Sequence, residues 1–319
     1  MISRYPGDAG ERDVLEDTCL VAAEIDVVTR PIKSETAQGM EVNMSYEAEW
    51  RARFGETTQP ALNLPDLPWL HQVLVRRTHR RYAERPVPEA LMRLLLGAAF
   101  SASSKSDFQQ ASVIWVRDRR RRDRIASLVP DMPWVGNAPE FLVFCGDAHR
   151  LERIGEIRSH TNENGTLEGF FNASIDTALI LQTFILAAET AGLGCCPISV
   201  IRNHAGEVAE ILNLPDKVFP VAGLSVGYPS AAGHVSMRLP LDATLHLDQY
   251  DDRRLAEAVD AYDRRRDERY SLPREQQRSP NVFGYMPFYG WSEDKARQAT
   301  QPEGKSFPDF LRRRGFTLD

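Results

Sequence analysis

Cysteine is scarce in this chain: Cys19, Cys145, Cys195 and Cys196 are the 4 in 319 residues, and no C-x-x-C pair occurs among them. That spacing excludes the common zinc motifs and a disulfide framework, so the thiols read as reduced and no metal site is expected. Lysine is nearly as rare, since only Lys33, Lys105, Lys217, Lys295 and Lys305 stand among the 39 basic residues and the rest are arginine. The formal net charge of −6 argues against a nucleic-acid partner held by bulk positive charge. Long apolar runs are missing too. The best stretch, residues 178–188, is interrupted by Gln182 and Thr183 and is too short to span a bilayer, so no membrane partner is expected. Near the N-terminus, Arg4, Asp8, Glu11, Arg12 and Asp13 have no apolar segment behind them, which makes a cytoplasmic location the default. One signature of chemistry is absent as well, since Gly192-x-Gly194 lacks the third glycine of a dinucleotide-binding turn and follows a helical pattern.

What is present is an ordinary globular composition, 42% hydrophobic and 26% charged, over a length that fills one large domain or two small ones. Residues 1–66 carry little periodic signal and read as a loop-rich extension. Loops are expected over 33–39 and 55–60, with a short helix over 46–54. The core spans 67–250. Val87-Pro88-Glu89 opens a helix in which Leu91, Leu94, Leu95, Ala98 and Ala99 form one apolar face. A polar loop follows over 101–110, then strands over 112–116 and 141–145. A long helix over 173–191, apolar on most faces, is stopped by Gly192. A strand near Cys195, a helix over 207–212 and a strand over 219–226 complete an α+β layered pattern without a regular βαβ period. Residues 251–319 turn charged, with short helices near Ser292 and Phe307. They are too poor in apolar residues to fold alone, so they are expected to pack on the core or on a partner subunit.

The chemistry-bearing residues are cationic. Arg76-Arg77-Thr78-His79-Arg80 opens the core and Arg238 lies near its end, with Ser103-Ser104-Lys105 and the turn from Gly192 to Ser199 between them. Arginine forks suit a phosphate, hydroxyls suit a polyol chain, and backbone beside a glycine turn suits the edge of a flat ring, the three parts of flavin mononucleotide (FMN). A second arginine-rich stretch, 118–124, reads as a solvated helix face.

The order of these pieces resembles the nitroreductase family of FMN-dependent oxidoreductases from about Leu70 to the C-terminus. Arg76-Arg77-Thr78-His79-Arg80-Arg81-Tyr82 is similar to the family's R-[ST]-x-R-x-[FY] phosphate motif, and 103–109, 138–145, 188–194, Ile201-Arg202-Asn203, Gly227-Tyr228-Pro229 and Arg238-Leu239-Pro240 follow in order. The resemblance implies a three-layer α+β fold with a mostly antiparallel central sheet and a homodimer with FMN at the subunit interface. It implies that Arg77, Arg80 and Arg238 bind the phosphate with Arg76 near it, and that Thr78 and Ser104 bond the phosphate or pyrimidine end. Gln109 comes from the other subunit, and Pro197, Ile198, Ser199 and Val200 lie against the ring. Asp107, Trp134 and Lys305 are assigned to the substrate and nicotinamide pocket. The implied activity is ping-pong transfer of hydride from NADPH or NADH, through flavin N5, to a small acceptor of the nitroaromatic, quinone or flavin class, with no catalytic side chain. Alternatives are a pathway-specific flavin reductase or dehydrogenase of this fold, and a flavin-binding dimer with incidental redox activity. Four departures stand out. Ser199-Val200 replaces paired glycines, Ser236 replaces a lysine, Asp107 replaces an apolar residue, and 279–287 has no basic residue, leaving Lys305 as the nearest substitute.

Overall fold

The computed structural model describes residues 44–57, 63–64 and 67–318. The loop expected over 33–39, the second half of that over 55–60, and Cys19 lie outside them. Strands β1 (Met44–Ser45) and β2 (Asn63–Leu64) form a small antiparallel pair. The main sheet contains β3 (Ala111–Trp115), β4 (Glu140–Asp147), β5 (Gly194–Ile198) and β6 (Val218–Gly227) in the order β3-β4-β6-β5, antiparallel throughout. The helices of the N-terminal half are α1 (Glu47–Phe54), α2 (Pro68–Val75), α3 (Glu89–Phe100), α4 (Arg119–Ser127), α5 (Trp134–Asn137) and α6 (His149–Ile157). Those of the second half are α7 (Leu167–Thr190), α8 (Ala205–Leu212), α9 (Leu255–Tyr270), α10 (Pro280–Phe283), α11 (Trp291–Ala299) and α12 (Phe307–Arg313).

Strand β4 is apolar at successive positions because helices cover both sides of the sheet. Leu142 and Phe144 join Met92, Leu95, Ile180 and Phe184 from α3 and α7. Phe141, Val143 and Cys145 face the other way, with Ile125, Val208, Phe310 and Leu311 from α4, α8 and α12. Side chains that alternate across a strand require this three-layer arrangement when every position is apolar. Each large side chain so buried contributes about 1.5–3 kcal/mol.

Three sequence expectations are corrected. Helix α3 buries Met92, Leu95 and Ala99, while Leu94 is 69% exposed. At about 100° per residue, the face that meets α7 leaves Leu94 on the far side. In α4, Arg122 is buried rather than solvated, since its guanidinium donates to the Val135 and Pro139 carbonyls. Helix α7 begins at Leu167, capped by Thr166, and its 24 residues are long and apolar enough to cross a membrane by length and composition. In the fold it is a core helix, with Ala173, Ile180, Phe184 and Ala188 buried, and Gln182 and Thr183, which break the apolar run in the sequence, are carried within it. Leu167, Phe171, Ile175 and Leu179 line an exposed stripe on its opposite side at four-residue spacing. The C-terminal residues pack on the core, where Phe310, Leu311 and Phe316 join the cluster of α4 and α8.

Asp176, 1% exposed in the middle of α7, organises the 101–110 loop. Its carboxylate accepts from Ser104 Oγ at 2.7 Å, Lys105 N at 3.0 Å and Gln110 N at 3.1 Å. The loop needs that anchor because Ser106, Asp107 and Gln109 have positive φ (52°, 56° and 54°), a conformation that costs non-glycine residues energy. Replacing Asp176 by Ala leaves these donors unpaired and is expected to lower the unfolding free energy by about 3 kcal/mol, measured by urea denaturation.

Candidate cofactor site

Residues 76–80 leave α2 and run along the free edge of β5. His79 N donates to Cys195 O at 3.0 Å, and Thr78 forms a parallel bridge with the same residue. Gly194 permits this approach, because a Cβ there would lie 2.7 Å from the His79 ring. Burial lowers the His79 pKa, and the Arg77 and Arg76 charges lower it further against a bond that the ring donates to the Ala231 backbone.

Four guanidinium groups gather here, three of them, Arg53, Arg76 and Arg77, around the carboxylate of Glu189. Arg76 Nη2 bonds Glu189 Oε1 at 3.3 Å, and Arg76 Nε is buried with no hydrogen-bond partner among the described residues. Arg53, which the sequence reading overlooked, belongs to this group. It is 6% exposed, and burial together with the charges of Arg238, Arg76 and Arg77 pushes its pKa down to about 10, against the pull of Glu189. Burial raises the Glu189 carboxyl despite Arg76, Arg77 and Arg53. Four cations facing one anion leave a surplus of positive charge, which fits a phosphate dianion. Beside them is a cavity of about 570 Å³ lined by Gln72, Arg76, Arg77, His79, Glu189 and Ala232, with Arg77 Nη1 on the Ala232 carbonyl at 3.3 Å.

The profile described as "Nitroreductase family" matches residues 73–228, and that described as "Nitroreductase family, C-terminal domain" matches 236–319. The chain is 35% identical over 192 residues to "FMN reductase [NAD(P)H]" of Bacillus subtilis (strain 168), covering 59% of this chain and 76% of that protein. It belongs to the nitroreductase family. It is also 34% identical over 183 residues to "Oxygen-insensitive NADPH nitroreductase" of Salmonella typhimurium, covering 57% of this chain and 75% of that one. The solved structure of NADPH:FMN oxidoreductase from Vibrio harveyi complexed with NAD+ superposes with a TM-score of 0.69 at 25% identity, over 79% of this chain and 99% of that one.

Within this nitroreductase the expected site residues fall into four groups. Arg76, Arg77 and Arg238 join Arg53, as described. Arg80 stands apart from them, its guanidinium 5.3 Å from the Trp134 ring centroid and beside the Cys196 thiol. Along β5, Pro197 is exposed, while the Ile198 side chain is buried in the core and offers a ligand only its backbone. Exposed Ser199 and half-buried Val200 line a groove of about 550 Å³ with Arg202 and with Gln298, Glu303 and Phe307 of the C-terminal segment. Lys305 is exposed on the stretch between Gly304 and Phe307 that borders this groove.

Ser104, Asp107 and Gln109 form the fourth group. Ser104 Oγ donates to Asp176 and accepts from Gln109 N at 2.7 Å, and Gln109 Nε2 donates to Asp107 at 3.1 Å. Arg76 meets α7 at Glu189, whereas this loop meets it at Asp176. Thirteen residues of helix separate those points by about 20 Å. One chain therefore does not bring the two groups together.

Because the folded state holds His79 below its ordinary pKa of 6.5, only the unfolded chain gains that proton first as the pH falls. The wild type should lose stability relative to His79→Gln as pH drops from about 7 to 5, the range below the ordinary histidine pKa, measured by thermal unfolding across that range.

Proposed function

We propose that this chain is an FMN-dependent NAD(P)H oxidoreductase that reduces a small acceptor of the nitroaromatic, quinone or flavin class, by a ping-pong sequence in which nicotinamide and acceptor use one groove in turn. The observation that carries this reading is the cationic surplus of Arg53, Arg76, Arg77 and Arg238 at the edge of β5. Arg77 and Arg238 hold the FMN phosphate with Arg76 beside them and Thr78 next to it. Arg80 and Trp134, packed together beside Cys196, flank the pyrimidine end. The flavin supplies the hydride chemistry at N5, so the protein contributes binding and orientation and needs no side-chain acid or nucleophile. The backbone of Pro197, Ile198 and Ser199 with Val200 borders the ring. The groove beside Ser199, edged by Lys305, takes the nicotinamide and the acceptor.

The working unit is a cytoplasmic homodimer. A distance of about 20 Å along α7 keeps Ser104, Asp107 and Gln109 away from the Arg76 group of their own chain, which supports a site completed by that loop of a second copy. The exposed stripe of Leu167, Phe171, Ile175 and Leu179 supplies an apolar face for pairing. A second reading, a pathway-specific reductase or dehydrogenase, is favoured by Ser199 and Val200, whose side chains narrow the groove closed by Glu303 and Phe307.

The purified protein should be yellow with a flavin spectrum, and anaerobic NADPH or NADH should bleach it. A colourless protein that takes up no added FMN would overturn the proposal. Each charge-assisted contact is worth about 1.5–3 kcal/mol, so Arg77→Ala with Arg238→Ala should weaken FMN binding by roughly two to four orders of magnitude, measured by fluorescence titration of the apoprotein. Phe171→Glu should sediment as a monomer and lose its flavin.

A further inference from the structure

Arg53 lies in α1, ahead of residue 73, where the match to the nitroreductase profile begins. Three things fix α1 in place. Tyr46 stacks on His71 of α2 with ring centroids 4.3 Å apart, Glu49 pairs with His71 Nδ1 at 2.9 Å, and Gly55 ends the helix in a left-handed turn. The glycine is required there by its φ of 73°, and its bare Cα also leaves room for the end of the Met237 side chain. Docked in this way, α1 delivers one guanidinium between two separate stretches of backbone.

That guanidinium is committed to carbonyls. Arg53 Nε donates to Leu74 O at 2.8 Å, Nη2 to Arg76 O at 2.5 Å, and Nη1 to Ser236 O at 2.7 Å. The backbone closes the loop, since Arg238 N donates to Arg53 O at 2.8 Å. One side chain thus joins the segment carrying Arg76 and Arg77 to the segment carrying Arg238, although the two lie about 160 residues apart in sequence. Ser236 offers only its carbonyl at this point, and the cation comes from α1. The planar fork matters, because a lysine has one nitrogen and cannot span carbonyls on two segments in the same geometry. The burial and neighbouring cations that oppose Arg53's charge make it unfavourable in the unliganded chain, and a bound dianion would relieve that cost.

We propose that Arg53 is a positioning residue of the phosphate site, tying residues 74–76 to 236–238 so that Arg77 and Arg238 converge on one anion. α1 would then be part of the cofactor site. The proposal rests on the FMN reading above. It predicts a defect confined to the phosphate, so the probes are FMN and riboflavin, which share ring and ribityl chain and differ in that group.

Apoprotein of the wild type, Arg53→Met and Arg53→Lys would be titrated with each flavin by fluorescence, with circular dichroism to verify folding. Arg53→Met should lose roughly ten- to hundredfold in FMN affinity and leave riboflavin affinity unchanged, with Arg53→Lys in between, as expected when charge-assisted contacts are misaligned rather than removed. A folded Arg53→Met with the wild-type ratio of FMN to riboflavin affinity overturns the proposal. A general structural role would weaken both flavins equally and would also overturn it. Hydrogen exchange of the wild type gives an answer even if the variants do not fold: FMN should slow amide exchange in residues 47–54 and riboflavin should not, and equal protection by both rejects the proposal. Failure of the FMN reading itself looks different, because the wild type would then bind neither flavin or bind both equally.

Discussion

Repulsion among Arg53, Arg76, Arg77 and Arg238 sets the terms for the structure around them. Four guanidinium groups with Glu189 as the facing carboxylate would drift apart in an open chain, so the fold must restrain each one. It does so largely with main-chain oxygens. Arg53 rests on the Leu74, Arg76 and Ser236 carbonyls, and Arg77 on that of Ala232. Neutral acceptors satisfy the N–H groups without cancelling the charge, and so preserve the positive potential that a dianion would meet. A site built from arginine–carboxylate pairs would be more stable alone and weaker toward phosphate.

The sheet makes this arrangement possible because it stops at β5. With β6 on one side and only the short bridge from Thr78 on the other, β5 leaves Pro197 and Ser199 exposed at a sheet edge. Both faces are sealed by helices, so the edge is the place where backbone and ligand can meet. The C-terminal segment narrows that opening on one side through Glu303 and Phe307, while Phe310 and Leu311 of α12 anchor it in the core.

Much of the fold was readable from apolar runs. Strands β4 and β6 and helices α3 and α7 appear as such because burial on one or both faces leaves a mark on composition. The arginine-rich segment 76–80 and Arg238 were readable for another reason, their match to a known motif. What escaped reading depends on contacts with backbone, which leave no pattern. Arg53 looks like one charge in a short polar helix, and Arg122 like one of five arginines on a wet face, yet both are buried by carbonyl acceptors. Nothing in the sequence around Ser104 announces its hydrogen bond to Asp176, 72 residues away. The same motif grouped Arg80 with Arg77, and the contact of its guanidinium with the Trp134 ring left no mark in the sequence.

Helix α7 carries Asp176 and Glu189 on a single uninterrupted rod. One carboxylate anchors the loop with Ser104 and Gln109, and the other faces Arg76. This makes α7 a gauge block, since its pitch sets how far the Ser104 loop lies from the Arg76 group. Inserting or deleting one residue between those positions would rotate one half by about 100° against the other. A residue added to an exposed loop would leave that spacing untouched, whereas one added between Asp176 and Glu189 would shift both its length and its angle.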